Sequence, residues 1–226
     1  SCLLISAAQI YAQHFADYFE DRTLRLDYIF AGNNTQQNIY LDELVSMPRW
    51  YGKRQHMAEV PLTGNGQVIV RSAANSDTIY RNSFSTLFQE WIATDEAKRT
   101  QKSFENVFLV PFPKQPVDIT VELYDYHMRT VASMTHRVDP KDILIRKTDA
   151  IATTPYRTLL QAADTSRCIH IAFVAEGYRS DEMATYLEDC RIAIESLFQH
   201  EPFKHLKDRF NIVAVESPSV DSGTTS

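Results

Sequence analysis

Hydrophobic and polar residues alternate along most of the chain between residues 20 and 147. In residues 23–30 (TLRLDYIF) every second side chain is apolar, which predicts a half-buried strand. The same alternation predicts strands at 37–41, 67–72, 78–83, 104–111, 117–124 and 128–136. Clusters of Gly, Asn, Asp and Ser separate them, and only residues 84–100 are interpreted as helix. Short strands with frequent turns predict an antiparallel β-sandwich over residues 20–147.

The pattern changes after Lys147. A short helical pattern is expected at 156–163, within a polar stretch. The apolar run Cys168–Ala175 (CIHIAFVA) is typical of a strand buried on both faces. Apolar residues then recur at spacings of three and four from Met183 to Phe198, which predicts an amphipathic helix. A second apolar strand is expected at 210–215, so the segment forms a β-α-β unit with parallel strands.

This second part is interpreted as unfinished. A stable sheet usually needs three or more strands, and a parallel sheet needs cover on both faces. The predicted fold class is therefore an α+β multi-domain chain, with an N-terminal antiparallel β-sandwich followed by the incomplete start of an α/β domain at residues 148–226.

The N-terminal residues and the cysteines bear on cellular location. Residues 3–12 (LLISAAQIYA) are too short to span a bilayer but resemble the end of a secretory signal peptide, so residues 1–15 are interpreted as a signal-peptide remnant. An amphipathic helix through Phe19 is the alternative. A signal peptide predicts a secreted, periplasmic or cell-surface location. Cys168 and Cys190 are expected at different depths in neighbouring elements, which predicts two buried free thiols rather than a disulfide.

Composition narrows the function classes. Apolar residues make up 44% of the 226 residues and aromatic residues 11%, which excludes a long disordered array. The formal net charge is −6 and no long run of Lys or Arg is present. Nucleic acid is therefore not an expected partner.

The sequence HEPFKH at 200–205 resembles the zinc-binding HExxH motif but has one residue too many. At 3.6 residues per turn, a spacing of five rotates the second histidine by about 140° from the first, and Pro202 interrupts the helix between them. We expect both histidines at the surface. The chain also lacks GxSxG, P-loop and Rossmann glycine motifs. No catalytic or metal-binding residue is assigned.

Two segments are candidates for ligand binding. Glu176-Gly177-Tyr178 follows a predicted parallel strand, at the end where α/β proteins bind ligands; a purely structural turn is equally compatible. Trp50-Tyr51 could form a platform for stacking carbohydrate, but aromatic residues in loops more often pack against their own domain, and we favour that interpretation.

The chain resembles a known family. FVAEGYRSDEM at 173–183 and the segment that follows resemble the opening of the catalytic domain in the bacterial zinc metallopeptidases named after an immunoglobulin A peptidase. The matching features are the turn at 175–178, EPF at 201–203, DRFN at 208–211 and Asp221-Ser222-Gly223. Glu176 stands where the family usually has Asp. YFEDRTLRLDYIFAGN at 18–33 and VDPKDILIRK at 138–147 resemble the N-terminal β-sandwich of the family.

The resemblance implies a secreted peptidase that acts on proteins or peptides. Its zinc would be held by two histidines of a later HExxH and a third ligand, and the glutamate would activate water. None of those residues is present, so the chain is interpreted as an N-terminal fragment that is inactive alone. The alternative is a non-enzymatic surface protein or glycan-binding β-sandwich. Glu176, Gly177, Tyr178 and Asp221 are kept as candidate ligand-binding residues at the sheet edge.

Overall fold

The computed structural model describes residues 14–148, 154–164 and 168–223. It divides the chain into two compact units, Ser1–Ile151 and Ala152–Ser226. Apart from its last two residues, the predicted signal-peptide remnant at 1–15 lies outside the described residues. No helix in the described part of the chain is both long enough and apolar enough to cross a membrane.

The first unit is a β-sandwich. Its strands are β1 (Phe19–Gly32), β2 (Gln37–Pro48), β3 (Gly66–Ser72), β4 (Thr78–Phe84), β5 (Lys102–Pro113), β6 (Val117–Tyr124), β7 (Thr130–Val138) and β8 (Arg146–Lys147). One sheet has the order β5-β1-β2-β8 and the other β4-β3-β6-β7. All pairs are antiparallel except β2 with β8, which confirms the predicted antiparallel sandwich.

The alternation in the sequence corresponds to the sandwich interior. From Leu24 to Phe30 every second residue of β1 is buried, and these side chains meet alternate residues of the opposing sheet in one apolar core. The buried side chains of β1, β3 and β6 in this core are Leu24, Leu26, Tyr28, Phe30, Val68, Val70, Val117, Ile119, Val121 and Leu123. The pattern of period two therefore identified the inward face of these strands.

The helix predicted at 84–100 was mostly wrong. The sandwich has a four-residue helix α1 (Phe15–Tyr18) before β1, and in the predicted region only α2 (Leu87–Trp91), followed by a 3₁₀ turn at Glu96–Lys98. The Thr86 side chain caps α2 by accepting a hydrogen bond from the Gln89 amide. Past Ile92 the chain reads ATDEAKRTQK and offers no apolar stripe that a longer helix could bury.

The second unit contains β9 (Tyr156–Leu160), β10 (Ile169–Val174), helix α3 (Met183–Leu197) and β11 (Phe210–Val215). The sheet order is β10-β11-β9. β10 and β11 are parallel, as predicted for the β-α-β unit. The helical pattern expected at 156–163 was wrong, because β9 is a strand that pairs antiparallel with β11. Among the described residues, the sheet of the second unit therefore has three strands rather than two.

One face of this sheet is covered and the other is open within the described residues. Tyr186, Leu187, Cys190 and Ile194 of α3 are buried in the apolar clusters that α3 forms with the sheet. On the opposite face, Val174 and Tyr156 flank Val215 in register and are each 60% exposed. The predicted burial of residues 168–175 on both faces was therefore wrong for the part of the chain that the structure describes.

The cysteines bear out half of their prediction. Cys168 and Cys190 form no disulfide with each other, and the Cys190 side chain is buried between α3 and the sheet. Cys168, at the start of the edge strand, is only partly buried.

Candidate functional site

The candidate residues lie at the carboxyl edge of the second unit's sheet. Glu176, Gly177 and Tyr178 follow β10, and Asp221 lies in the loop after β11. Because β10 and β11 are parallel, their carboxyl ends meet at one edge. The structure thus brings the two predicted segments into adjacent loops.

Hydrogen bonds from backbone amides join the loop after β10 to the loop after β11. The Gly177 amide donates to Ser219 Oγ at 2.8 Å, and the Gly223 amide donates to the Gly177 carbonyl at 2.7 Å. The Ser219 amide donates to the Tyr178 carbonyl at 2.8 Å. Gly177 has φ +79°, and a Cβ there would lie 3.1 Å from the Gly223 carbonyl oxygen. Glycine is therefore required both for its backbone conformation and for the close approach of the loops.

Glu182 anchors the loops to the start of α3. Its carboxylate accepts the Arg179 amide at 2.8 Å and the Ser222 hydroxyl at 2.8 Å. These two hydrogen bonds hold the pKa of Glu182 below its ordinary value. Glu182 thus stays ionised and has a structural role, because its oxygens are occupied by the loop.

Tyr178 points along α3. Its hydroxyl donates to Asp189 Oδ2 at 2.8 Å, and its ring centroid lies 5.3 Å from that of Tyr186. The hydrogen bond to the Asp189 carboxylate raises the pKa of Tyr178. Through these two contacts Tyr178 holds the loop after β10 against α3.

Glu176 and Asp221 are the two candidate side chains whose carboxylates face solvent. Neither makes a side-chain hydrogen bond or ion pair with any residue that the structure describes. This edge can therefore accept hydrogen bonds from a ligand. Across residues 14–148, 154–164 and 168–223, no group of three or more His, Cys, Asp or Glu is arranged to hold a metal ion.

The histidines of HEPFKH lie at the surface, as predicted. His200 and His205 are both exposed. His205 Nε2 lies 3.2 Å from Glu201 Oε1, so this glutamate faces the second histidine.

Sequence reasoning missed the residues that hold the edge together. Ser219, Ser222 and Glu182 form its hydrogen bonds, and the contact of Gly177 with Ser219 spans 42 positions. Local signals were Gly177 and Gly223, whose φ values of +79° and +78° favour glycine.

The aromatic pair in the sandwich divides between two environments. Trp50 is 6% exposed and packs in the core, and its indole N–H donates to the Lys53 carbonyl at 3.1 Å. Tyr51 is 72% exposed. The favoured interpretation, packing against the domain, holds for Trp50 but not for Tyr51.

Comparison with known proteins identifies two matching family models. Residues 14–135 match the model described as Peptidase M64 N-terminus, and residues 158–226 match the model described as IgA Peptidase M64. The first match covers the sandwich through most of β7, and the second covers most of the three-stranded unit, including the candidate edge. No curated protein matches the chain.

Proposed function

This chain belongs to the M64 peptidase family, and from that premise we propose that it is the N-terminal part of a secreted, zinc-dependent bacterial peptidase whose zinc ligands lie outside these 226 residues. The observation that carries the proposal is the order of the two matches, N-terminal domain first and peptidase domain second. M64 peptidases are metallopeptidases, and the family implies a protein substrate.

The residues of this chain that the structure describes do not fit a zinc site. The sequence has no HExxH, and the two exposed histidines of HEPFKH are five positions apart with Pro202 between them. A structural or catalytic zinc needs three or four ligands that converge on one point. No step of peptide hydrolysis is therefore assigned to residues of this chain.

The open sheet face supports the proposal. Val174 and Tyr156 are large apolar side chains on one face of a mixed sheet, and both are more than half exposed. β10 lies at the edge of the sheet among the described residues and pairs in parallel with β11. Parallel strands in α/β domains are normally covered on both faces. Additional elements of a peptidase domain would supply that cover and pair with β10.

Secretion rests on the sequence of residues 3–12, which resembles the end of a signal peptide. A peptidase that acts outside the cell meets protein substrates there. The proposed location is accordingly the periplasm, the cell surface or the medium.

The experiment compares this chain with the longer protein encoded by the same reading frame. We expect the longer protein to contain HExxH, to bind zinc and to hydrolyse casein, with activity lost on chelation and restored by zinc. The 226-residue chain should bind no stoichiometric zinc and leave casein intact.

The matched control is the longer protein with the glutamate of HExxH changed to glutamine, which should keep its zinc but lose hydrolysis. A longer protein that binds no zinc, or that cleaves casein equally well after chelation, would contradict the proposal. Hydrolysis by the 226-residue chain itself would contradict its inactivity.

A further inference from the structure

The β-sandwich has a cavity of its own. It is open to solvent, measures about 400 Å³ beside the loop that follows β2, and its lining includes Trp50, Tyr51, Lys53, Tyr80 and Asn82. Ligand pockets in proteins usually measure about 300–1,000 Å³ and combine apolar walls with a few polar groups. The cavity is therefore of a size for a small ligand or for one unit of a larger one.

The aromatic side chains give the cavity a rigid floor and an open rim. The rings of Trp50 and Tyr80 meet edge to face at 5.8 Å, and both residues are buried. Tyr51 stands beside them with most of its ring exposed. At Gly52 a Cβ would lie 2.2 Å from the Trp50 ring, so only glycine lets the loop backbone pass this close to the indole.

The polar groups of the cavity retain hydrogen-bonding capacity. Lys53 Nζ donates to the Glu59 carbonyl at 2.7 Å and lies 5.2 Å from the centre of the Tyr80 ring. An ammonium group has three donors, so two remain. The side chain of Asn82 is exposed and makes no hydrogen bond with any residue that the structure describes.

Among the described residues, no carboxylate is hydrogen bonded to the Lys53 ammonium. The Glu59 carboxylate is hydrogen bonded to His56 Nδ1 at 2.8 Å. Lys53 Nζ donates to the backbone carbonyl of Glu59 and not to its carboxylate. Burial is the main factor that lowers the pKa of Lys53; the charge of Glu59 acts in the opposite direction, and that of Arg81 lowers the pKa further. A partly buried ammonium that lacks a hydrogen-bonded carboxylate favours an anionic ligand.

We propose that this cavity binds an acidic saccharide, with a pyranose ring on the Tyr51 side chain and the sugar carboxylate on the Lys53 ammonium. A sugar ring presents C–H groups on one face and hydroxyls around its edge. The exposed Tyr51 ring can pack against the C–H face of the sugar, and the Asn82 amide can form hydrogen bonds with its hydroxyls. A purely apolar ligand would leave Lys53 and Asn82 unmatched, and a simple anion would leave Tyr51 unused.

The two tryptophans of the chain give a direct test. The indole N–H of Trp50 donates to Lys53 beside the cavity, whereas that of Trp91 donates to Glu96 Oε2 at 2.8 Å. In proton–nitrogen NMR spectra of the whole chain, titration with a trimer of galacturonic acid should move the Trp50 indole resonance and leave that of Trp91 in place. A trimer of galactose should bind at least about tenfold more weakly, because it lacks the charge-assisted contact.

Three variants of the chain identify the contacts. Lys53→Met keeps the apolar stem over Tyr80, and it should remove the preference for the acidic trimer. Tyr51→Ala should weaken binding of both trimers, by about tenfold for the acidic one. Tyr40→Ala is the matched control, since Tyr40 is also an exposed tyrosine, at 55%, but does not line the cavity. Unchanged dispersion of the other resonances shows that each variant is folded.

Several outcomes would overturn the proposal. These are a Trp50 resonance that no saccharide moves, equal affinity for the two trimers, and unchanged binding in Lys53→Met or Tyr51→Ala. Tri-glutamate carries similar charge without a sugar ring. If it bound as tightly as the galacturonic acid trimer, the cavity would be a general anion site or a peptide site rather than a saccharide site.

Discussion

At the scale of single residues, a buried histidine that is sensitive to pH takes part in a polar contact between the two sheets of the sandwich. The hydroxyl of Tyr28 on β1 lies 2.6 Å from Nε2 of His136 on β7. The other ring nitrogen, His136 Nδ1, is buried and has no hydrogen-bond partner among the described residues. Burial lowers the pKa of His136 and raises that of Tyr28, so both are neutral in the folded state at pH 7.

The burial of His136 predicts a loss of stability in mild acid. An unfolded histidine takes up a proton near pH 6.5, whereas the folded state resists protonation of His136 to a lower pH. The stabilising contribution is complete above about pH 6.5 and declines as the pH falls from there toward the lowered folded pKa. Between pH 7.5 and 5.5 the loss should be on the order of 1 kcal/mol in denaturant unfolding experiments.

Two variants separate this effect from other titrating groups. His136→Gln keeps a polar side chain near Tyr28 and should have a smaller dependence of unfolding free energy on pH. Tyr28→Phe should lose about 1 kcal/mol at both pH values yet keep the pH dependence. An equal pH dependence in His136→Gln and in the unchanged chain would show that this histidine does not contribute.

At the scale of secondary structure, the sequence predicted strands better than helices. β6 has the predicted bounds, Val117–Tyr124, because its inward residues alternate without interruption. β9 was missed because Tyr156, Leu159 and Leu160 also fit a helical spacing. Only its pairing with β11, more than fifty residues later, settles the conformation of β9. Local periodicity cannot report such a contact.

The candidate edge at 176–178 and 219–223 also depends on long-range contacts that local periodicity does not predict. The position of Glu176–Tyr178 at the end of a parallel strand followed from the β-α-β pattern. The hydrogen bonds of Ser219 and Ser222 could not be predicted, because they depend on the path of a loop without periodicity.

The joined loops predict different costs for two glycine substitutions. Gly177 and Gly223 have nearly the same φ, +79° and +78°. Gly223→Ala should cost about 1 kcal/mol from the left-handed conformation alone, since no described atom lies within 4 Å of its Cβ position. Gly177→Ala should cost about 2 kcal/mol, because its Cβ also presses on the Gly223 carbonyl.

Hydrogen exchange at the Ser219 amide measures this difference, because that amide is bonded across the loops in both variants. Exchange should be faster in Gly177→Ala than in Gly223→Ala. Equal protection in the two variants would mean that the close approach of the loops adds nothing to the stability of the edge.

At the scale of the whole molecule, the two units differ in how completely they bury their apolar residues. The sandwich closes two sheets over one core. The second unit covers its sheet with α3 on one face only. The sequence predicted two strands in this sheet, and the third strand, β9, adds pairing without covering the open face. An additional edge strand contributes only backbone hydrogen bonds, whereas burial of the open face requires another layer of secondary structure packed against it.

The open sheet face predicts that the substitution Val174→Lys changes the stability of this chain little but strongly destabilises the longer protein. In the 226-residue chain, Val174→Lys should leave the unfolding free energy within about 0.5 kcal/mol and reduce binding of a hydrophobic dye, because Val174 is 60% exposed. In the longer peptidase proposed above, the same lysine would be buried under added elements without a partner. It should then cost several kcal/mol in denaturant unfolding.

Ile192→Lys is the matched control for this prediction. Ile192 lies on α3 and is 55% exposed, but it is not in the clusters that α3 forms with the sheet. The substitution at this position should have little effect on stability in either protein. If Val174→Lys were as well tolerated in the longer protein as in this chain, β10 would keep an open face there. The additional elements of the peptidase domain would then have to pack elsewhere, and the structural support for the proposed function would be lost.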